Sequence, residues 1–179
     1  IVLITDQQVG GWSGASIESH LKQLPGPMEV VEVTPEEIEH LRRAQAVTEE
    51  AIELACRMIA RTEASGSGVL LHDGTPLTSE RVHAEVNVFL MNRGYSGPKY
   101  IVAGGPQGAS CHHHGEGELR TGEPIIVDIF PTSKETHYCG DCTRTVVHGE
   151  IPPEVSEMHS AVRAAKEAGC STIRPGVTG

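Results

Sequence analysis

Asp128 stands in the middle of the apolar run IIVDIF, and Asp141 stands between two cysteines in HYCGDCTRTVV. An ionised carboxylate among strand formers is costly unless it is paired, hydrogen-bonded or metal-bound. A purely structural strand has no use for Asp128. PTSKET supplies a turn between the two stretches. With that turn centred between Lys134 and Glu135, Asp128 and Asp141 face each other across an antiparallel pair, Cβ atoms about 5 Å apart. Like charges repel there, and a cation between them removes the repulsion. The spacing therefore points to a carboxylate metal site on rigid strands, with the proviso that a bulge shifts the register by one.

The cysteines offer rival chemistry. A redox Cys-x-x-Cys sits at the start of a helix, whose dipole lowers the thiol pKa. Cys142 runs instead into TRTVV, a β-branched strand. A structural zinc site needs four ligands, which Cys139, Cys142, Cys111 and His112 can supply in number. Cys139 and Cys142 fall on opposite faces of a regular strand, however, so a zinc knuckle needs a tight turn there. We read both as small, buried residues beside the site, neither disulfide-bonded nor holding zinc, and Asp141 as the residue that matters. His112, His113 and His114 lie in a loop that leads into EPIIVD. Such a run is either solvated or able to send one imidazole to the metal or a bound substrate. Glu37-x-x-His40 has the spacing of di-iron bundles but no second copy; a helix cap and a surface histidine is the preferred reading.

The elements that must position these groups can be traced along the chain. IVLIT and MEVVEV read as strands around the short helix SIESHLKQL, the edge of an α/β domain. GGWSG resembles a dinucleotide loop, but the first glycine of that fingerprint would fall on Val9. Thr34 caps a long helix, with Pro35 at its first position and Glu37 closing a capping box. Its apolar stripe runs Ile38, Leu41, Ala44, Val47, Ala51, Leu54, Ala55 and Met58, to an end near Thr62. A second capped helix covers LTSERVHAEVNVFLMNRGY and closes at Gly94. KYIVAGG, EPIIVDIFP and THYCGDCTRTVV are β-rich, and a last helix runs from Pro153 to about Ala168. The closing IRPGVTG reads as a connection to further chain.

Composition bounds the function. The 179 residues are 38% hydrophobic and 21% charged, with a formal net charge of −10. This is a globular mixture without an apolar run of about 18 residues. The negative charge disfavours nucleic-acid binding, which rests on Lys and Arg, and the sequence has no Lys/Arg run. The five cysteines are not spaced like a disulfide framework, so a reducing, cytoplasmic setting is expected. No signal-peptide pattern precedes the first strand, and Ile1 is not expected to be the native start.

Taken together, EEIEHLRRAQAVTEEAIE, LTSERVHAEV, IVAGGPQGASCHHHGEGELRTGEPIIVDIFP, HYCGDCTRTVVHGE and IRPGVTG resemble the pita-bread metallopeptidases. That family includes methionine aminopeptidase, Xaa-Pro aminopeptidase, prolidase and creatinase, and the Xaa-Pro branch is the most similar. The resemblance implies an α+β pita-bread fold. Residues 34–179 would be its first half, and residues 1–33 a remnant of a preceding creatinase-like α/β domain. It implies a metal-dependent exopeptidase that cleaves N-terminal peptide bonds with two divalent ions, manganese, cobalt or zinc. Asp128 matches the first metal ligand and Asp141 the ligand bridging both ions. His112 best matches the histidine that holds substrate and the tetrahedral intermediate, with His113 and His114 as fallbacks. The later His, Glu and Glu ligands of the family would lie beyond RPGVTG, and the gap between the aspartates is two residues longer than in the best-known members. Partners would be a peptide substrate and, in a homodimer, a second copy, with no nucleic acid and no membrane. The competing readings are a non-catalytic pita-bread module that binds peptide or protein, and a metal-free hydrolase of the creatinase type.

Overall fold

The computed structural model describes residues 2–5, 29–97, 99–174 and 177–178. The chain divides into two compact units, Ile1–Glu39 with Arg163–Gly179, and His40–Val162. In the first, strands β1 (Val2–Thr5) and β2 (Glu29–Glu32) pair in parallel, Val2 opposite Glu29. Parallel neighbours need a crossover of a dozen or more residues. The helix expected there and the GGWSG loop lie outside the described residues.

Helix α1 (Pro35–Ala60) begins with the capping box that its sequence announces. The Thr34 N–H donates to Glu37 Oε2 at 2.8 Å, and the Glu37 N–H donates to Thr34 Oγ1 at 3.2 Å. Glu37 is thus a cap. Of the expected stripe, Ala44, Ala51, Ala55 and Met58 are buried and Val47 and Leu54 pack against the core. Thr48, Ile52 and Ile59 are buried, whereas Leu41 is 42% exposed. Thr48 can be buried because its hydroxyl donates to Ala44 O at 2.9 Å. The middle of the helix therefore presents a surface of small side chains, Ala44, Thr48, Ala51 and Ala55.

A small antiparallel sheet follows, from β3 (Glu63–Ala64), β4 (Leu70–His72) and β5 (Thr75–Pro76). Helix α2 (Ser79–Asn92) is capped by Thr78, whose hydroxyl accepts from the Arg81 N–H. It closes as expected at Gly94, in the left-handed conformation with φ +78°. Next come β6 (Tyr95–Ser96), β7 (Ile101–Gly104), a short 3-10 helix (Gly105–Ala109), β8 (Pro124–Ile129), β9 (Thr132–Ser133) and β10 (Cys142–Val147). Helix α3 runs Pro153–Thr172, four residues past the expected end.

Three strands form the central antiparallel sheet, in the order β10-β8-β7. Along β8 burial alternates residue by residue. Ile125, Val127 and Ile129 are fully buried in one core with Ala51, Ala55 and Ile59 of α1 and Val82, Val86 and Leu90 of α2. Each of these Val, Ile and Leu side chains contributes roughly 1.5–3 kcal/mol by burial. Pro124, Ile126 and Asp128 share the other, half-open face. Asp128 is therefore not a core carboxylate: every second residue of IIVDIF faces away from the core.

His83 is a buried titratable group that the sequence did not single out. It is 7% exposed, and its Nε2 has no hydrogen-bond partner among the described residues. Burial, then the charge of Lys99, pushes its pKa down; a hydrogen bond with the Tyr100 backbone and the Glu80 carboxylate oppose this. The folded state thus keeps His83 neutral while the unfolded chain takes up a proton below about pH 6.5. Stability should be full above that pH and fall as pH drops towards the depressed pKa. Urea unfolding at pH 7.5 and 5.5 should show this loss, and His83→Gln should reduce it. An unchanged pH dependence in the variant would contradict the assignment.

Candidate active site

Strands β8 and β10 bring the aspartates to one hairpin, but not opposite each other. Thr143 faces Asp128, and Cys142 faces Ile129. The register differs by two residues from that expected with a turn between Lys134 and Glu135. The physical reason is the loop. The His137 N–H closes onto Ser133 O at 3.0 Å, and His137 takes the left-handed conformation with φ +62°. The tip is further held by Tyr95 opposite Ser133, where β6 pairs with β9. This moves the centre of the hairpin one position along. A two-residue shift preserves the face, so Thr143 takes the place expected for Asp141, and Asp141 lies just before β10.

The carboxylate of Asp128 accepts a hydrogen bond from Thr143 Oγ1 at 2.5 Å. Asp128 and Thr143 line a cleft of about 330 Å³ with Ile101, Ala103, Cys111 and Ile126. Asp141 is exposed, and its backbone N–H donates to Gln45 Oε1 of α1 at 3.1 Å. The Gln45 amide is itself oriented by its Nε2, which donates to Glu49 Oε1 at 3.3 Å. Gly140 is buried against α1. A Cβ there would lie 2.2 Å from Thr48 Oγ1 and 2.6 Å from Ala44 O. Only glycine lets the hairpin approach the helix this closely, and that approach places Asp141. Thr143, Gln45 and Gly140 are the residues that sequence reasoning missed. The signal for Thr143 was its alternation with Asp141; Gln45 and Gly140 act through a helix 96 residues away in the chain.

The cysteines separate: Cys142 opens β10, whereas Cys139 makes an isolated bridge with Thr132. Cys142 is buried and accepts from Arg144 Nη1 at 3.1 Å. Cys139 is exposed, with its sulfur 3.1 Å from Thr132 Oγ1, so the expectation that both are buried holds only for Cys142.

The histidine loop is fastened to the sheet edge. The Val102 N–H of β7 donates to His114 O at 2.9 Å, and the Gly117 N–H donates to Glu80 Oε1 at 3.0 Å. Gly115 has φ +88°, and a Cβ on it would lie 1.8 Å from Val102 O. The Glu80 carboxyl is held below its usual range by hydrogen bonds, first with its own backbone and then with Gly117. His113 Nδ1 accepts from the Gly115 N–H at 3.0 Å, and His114 Nδ1 lies 3.3 Å from Tyr100 O. His112 differs: it is exposed, and among the described residues its Nδ1 meets only the Cys111 sulfur, at 3.7 Å. It is the histidine of the three whose Nδ1 is not engaged by backbone, and its neighbour Cys111 lines the cleft beside Asp128.

Residues 39–179 match the family model described as metallopeptidase family M24. The chain belongs to this family. A Streptomyces coelicolor protein named Xaa-Pro aminopeptidase 1 is 28% identical over 142 residues, 78% of this chain and 26% of that protein. Among solved structures, the Xaa-Pro dipeptidase from Bacillus anthracis has a TM-score of 0.63 at 23% identity, over 98% of this chain and 48% of that one. The dipeptidase PepE from Mycobacterium ulcerans has a TM-score of 0.60 at 28% identity, over 81% of this chain and 36% of that one. The chain thus spans about a quarter of the S. coelicolor protein and about half of the B. anthracis structure. Its architecture is part of the pita-bread fold.

For an M24 chain the question is whether these residues suit divalent metal. In kind they do: both candidate donors are carboxylates, which suit hard cations. They stand at one end of one hairpin, with Thr143 orienting Asp128 and Gln45 holding the backbone at Asp141. In number they do not complete a site. Among the described residues no group of three His, Cys, Asp or Glu side chains could hold an ion, and such an ion takes about four to six ligands.

Proposed function

We propose that the intact protein is a metal-dependent exopeptidase of the Xaa-Pro aminopeptidase or dipeptidase kind. The observation that carries this is the pairing of Asp128, on the open face of β8 beside Thr143, with Asp141 at the entry of β10, inside the span that matches M24. Asp128 and Asp141 would hold two divalent ions, manganese, cobalt or zinc. Bound there, such ions supply a water-derived nucleophile at neutral pH and polarise the scissile carbonyl. The chain's own groups do the rest. The Thr143 hydroxyl fixes the Asp128 carboxylate, Gln45 and Gly140 fix the backbone at Asp141, and His112 donates to the oxyanion that forms on the substrate. Ile101, Ala103 and Ile126 give the cleft an apolar floor that keeps water from the peptide. Residues 1–33 are read as the tail of a preceding α/β domain. No helix among the described residues is long and apolar enough to cross a membrane.

Hydrolysis of Xaa-Pro dipeptides and tripeptides by the intact protein, with added manganese or cobalt and with a chelator, tests the reading. Metal-dependent release of the N-terminal residue is expected. Peptide binding without cleavage would replace the reading by a binding module, and cleavage of small C–N compounds without metal by a creatinase-type hydrolase. The 179-residue chain by itself should show little or no turnover, and manganese should not rescue it, because two carboxylates make an open, weak site. Robust turnover by that chain would overturn this account of the ligand set.

A further inference from the structure

We propose that the second unit carries an anion pocket, independent of the peptidase reading, that takes the phosphoryl group of a small phosphate ester. The pocket has a volume of about 130 Å³ and is lined by His40, Arg43, Arg93, Lys134, Glu135 and Thr136 among others, none of which lines the cleft at Asp128. It gathers three permanent cations in a chain whose formal net charge is −10. Arg93 is already fixed. Its guanidinium bonds Glu50 Oε2 at 3.0 Å and lies 3.6 Å over the Phe89 ring, so one edge is used and the rest of the fork is free to donate. Arg43 and Lys134 have no ion pair and no side-chain hydrogen bond among the described residues, although 24 acidic residues are available to pair with them. Glu135 is the one carboxylate in the lining.

The frame around these charges is rigid. The Lys134 N–H donates to Gly94 O at 2.9 Å, Tyr95 pairs with Ser133, and the Thr136 N–H donates to Ser133 Oγ at 3.2 Å. Arg43 projects from the interior of α1. Cations held together by a fixed backbone repel one another, and a bound anion relieves that repulsion. A phosphoryl dianion matches the set better than a carboxylate. It carries about −1.5 to −2 charges and three acceptor oxygens, and Arg and Lys donors bind such oxygens by short, charge-assisted bonds. The pocket is large enough for several water molecules. It admits a tetrahedral oxyanion and leaves the remainder of the ester in solvent.

The test is calorimetric titration of the intact protein with inorganic phosphate and with glycerol 3-phosphate at low ionic strength, alongside amide NMR shifts. Saturable binding is expected, with shifts at Gly94, Lys134 and Thr136. Arg43→Gln and Lys134→Gln should each weaken binding by about tenfold, and Lys134→Arg should retain it. Both positions are exposed, so melting temperatures should not change, which separates lost binding from lost fold. Binding that chloride reproduces at equal ionic strength, or that persists in the Arg43→Gln, Lys134→Gln double variant, would overturn the proposal. Peptide hydrolysis is not the readout, so the result is independent of the peptidase reading.

Discussion

Asp141→Asn in the intact protein is expected to lower Xaa-Pro peptide hydrolysis by at least about 10³-fold, and by more than His112→Ala. On the proposed reading Asp141 would hold metal, and asparagine removes its charge while keeping its shape. Metal-assisted catalysis is worth several kcal/mol, and each 1.36 kcal/mol is about tenfold in rate. His112→Ala removes one donor to the oxyanion, a loss of about 10² to 10³ in kcat. The two variants should also differ in kind. Asp141→Asn should lose metal and activity together, whereas His112→Ala should keep its metal. Steady-state kinetics and metal analysis of both variants check this. An Asp141→Asn enzyme as active as the parent would remove Asp141 from the site.

Gly140→Ala is expected to destabilise the fold by about 3 kcal/mol, far more than a surface glycine would. The added Cβ would meet Thr48 Oγ1 and the carbonyl of Ala44 at 2.2 and 2.6 Å. The helix backbone at Ala44 cannot yield without moving α1, and the alternative is that the hairpin lifts off and carries Asp141 with it. Thr48→Ala in the same chain removes the nearer of the two collisions. It should recover part of the loss and show a coupling between positions 48 and 140 in denaturant unfolding. Additive effects, or a Gly140→Ala variant as stable as the parent, would mean that the hairpin does not depend on this close approach.

What could be read from the sequence was local. The Thr34–Glu37 box and the Thr78–Gly94 boundaries of α2 are decided by residues within a turn of each other, and the structure shows both. The strands β8 and β10 were legible for the same reason, although Asp141 falls just before β10 and not within it. The register was not. It depends on His137 in a left-handed conformation and on β6 pairing with β9, neither of which a turn-residue pattern in PTSKET encodes. The setting of Asp128 was misread because Ile126, on its open face, is as apolar as the buried Ile125 and Val127, so IIVDIF looks buried on both sides. The stripe on α1 was legible at Ala44, Ala51, Ala55 and Met58; Thr48 was missed because a buried threonine can satisfy its hydroxyl on its own helix. The preference for His112 came from the resemblance alone; the hydrogen bonds of His113 and His114 to backbone are features that consecutive identical residues cannot reveal.

Titration of manganese into the metal-stripped intact protein, compared with its Asp128→Asn, Asp141→Asn double variant, tests the central claim most directly. The account predicts saturable uptake approaching two ions per chain in the parent and loss of that uptake in the double variant, with the fold retained because both positions lie outside the core. Equal manganese binding by the two proteins would contradict it.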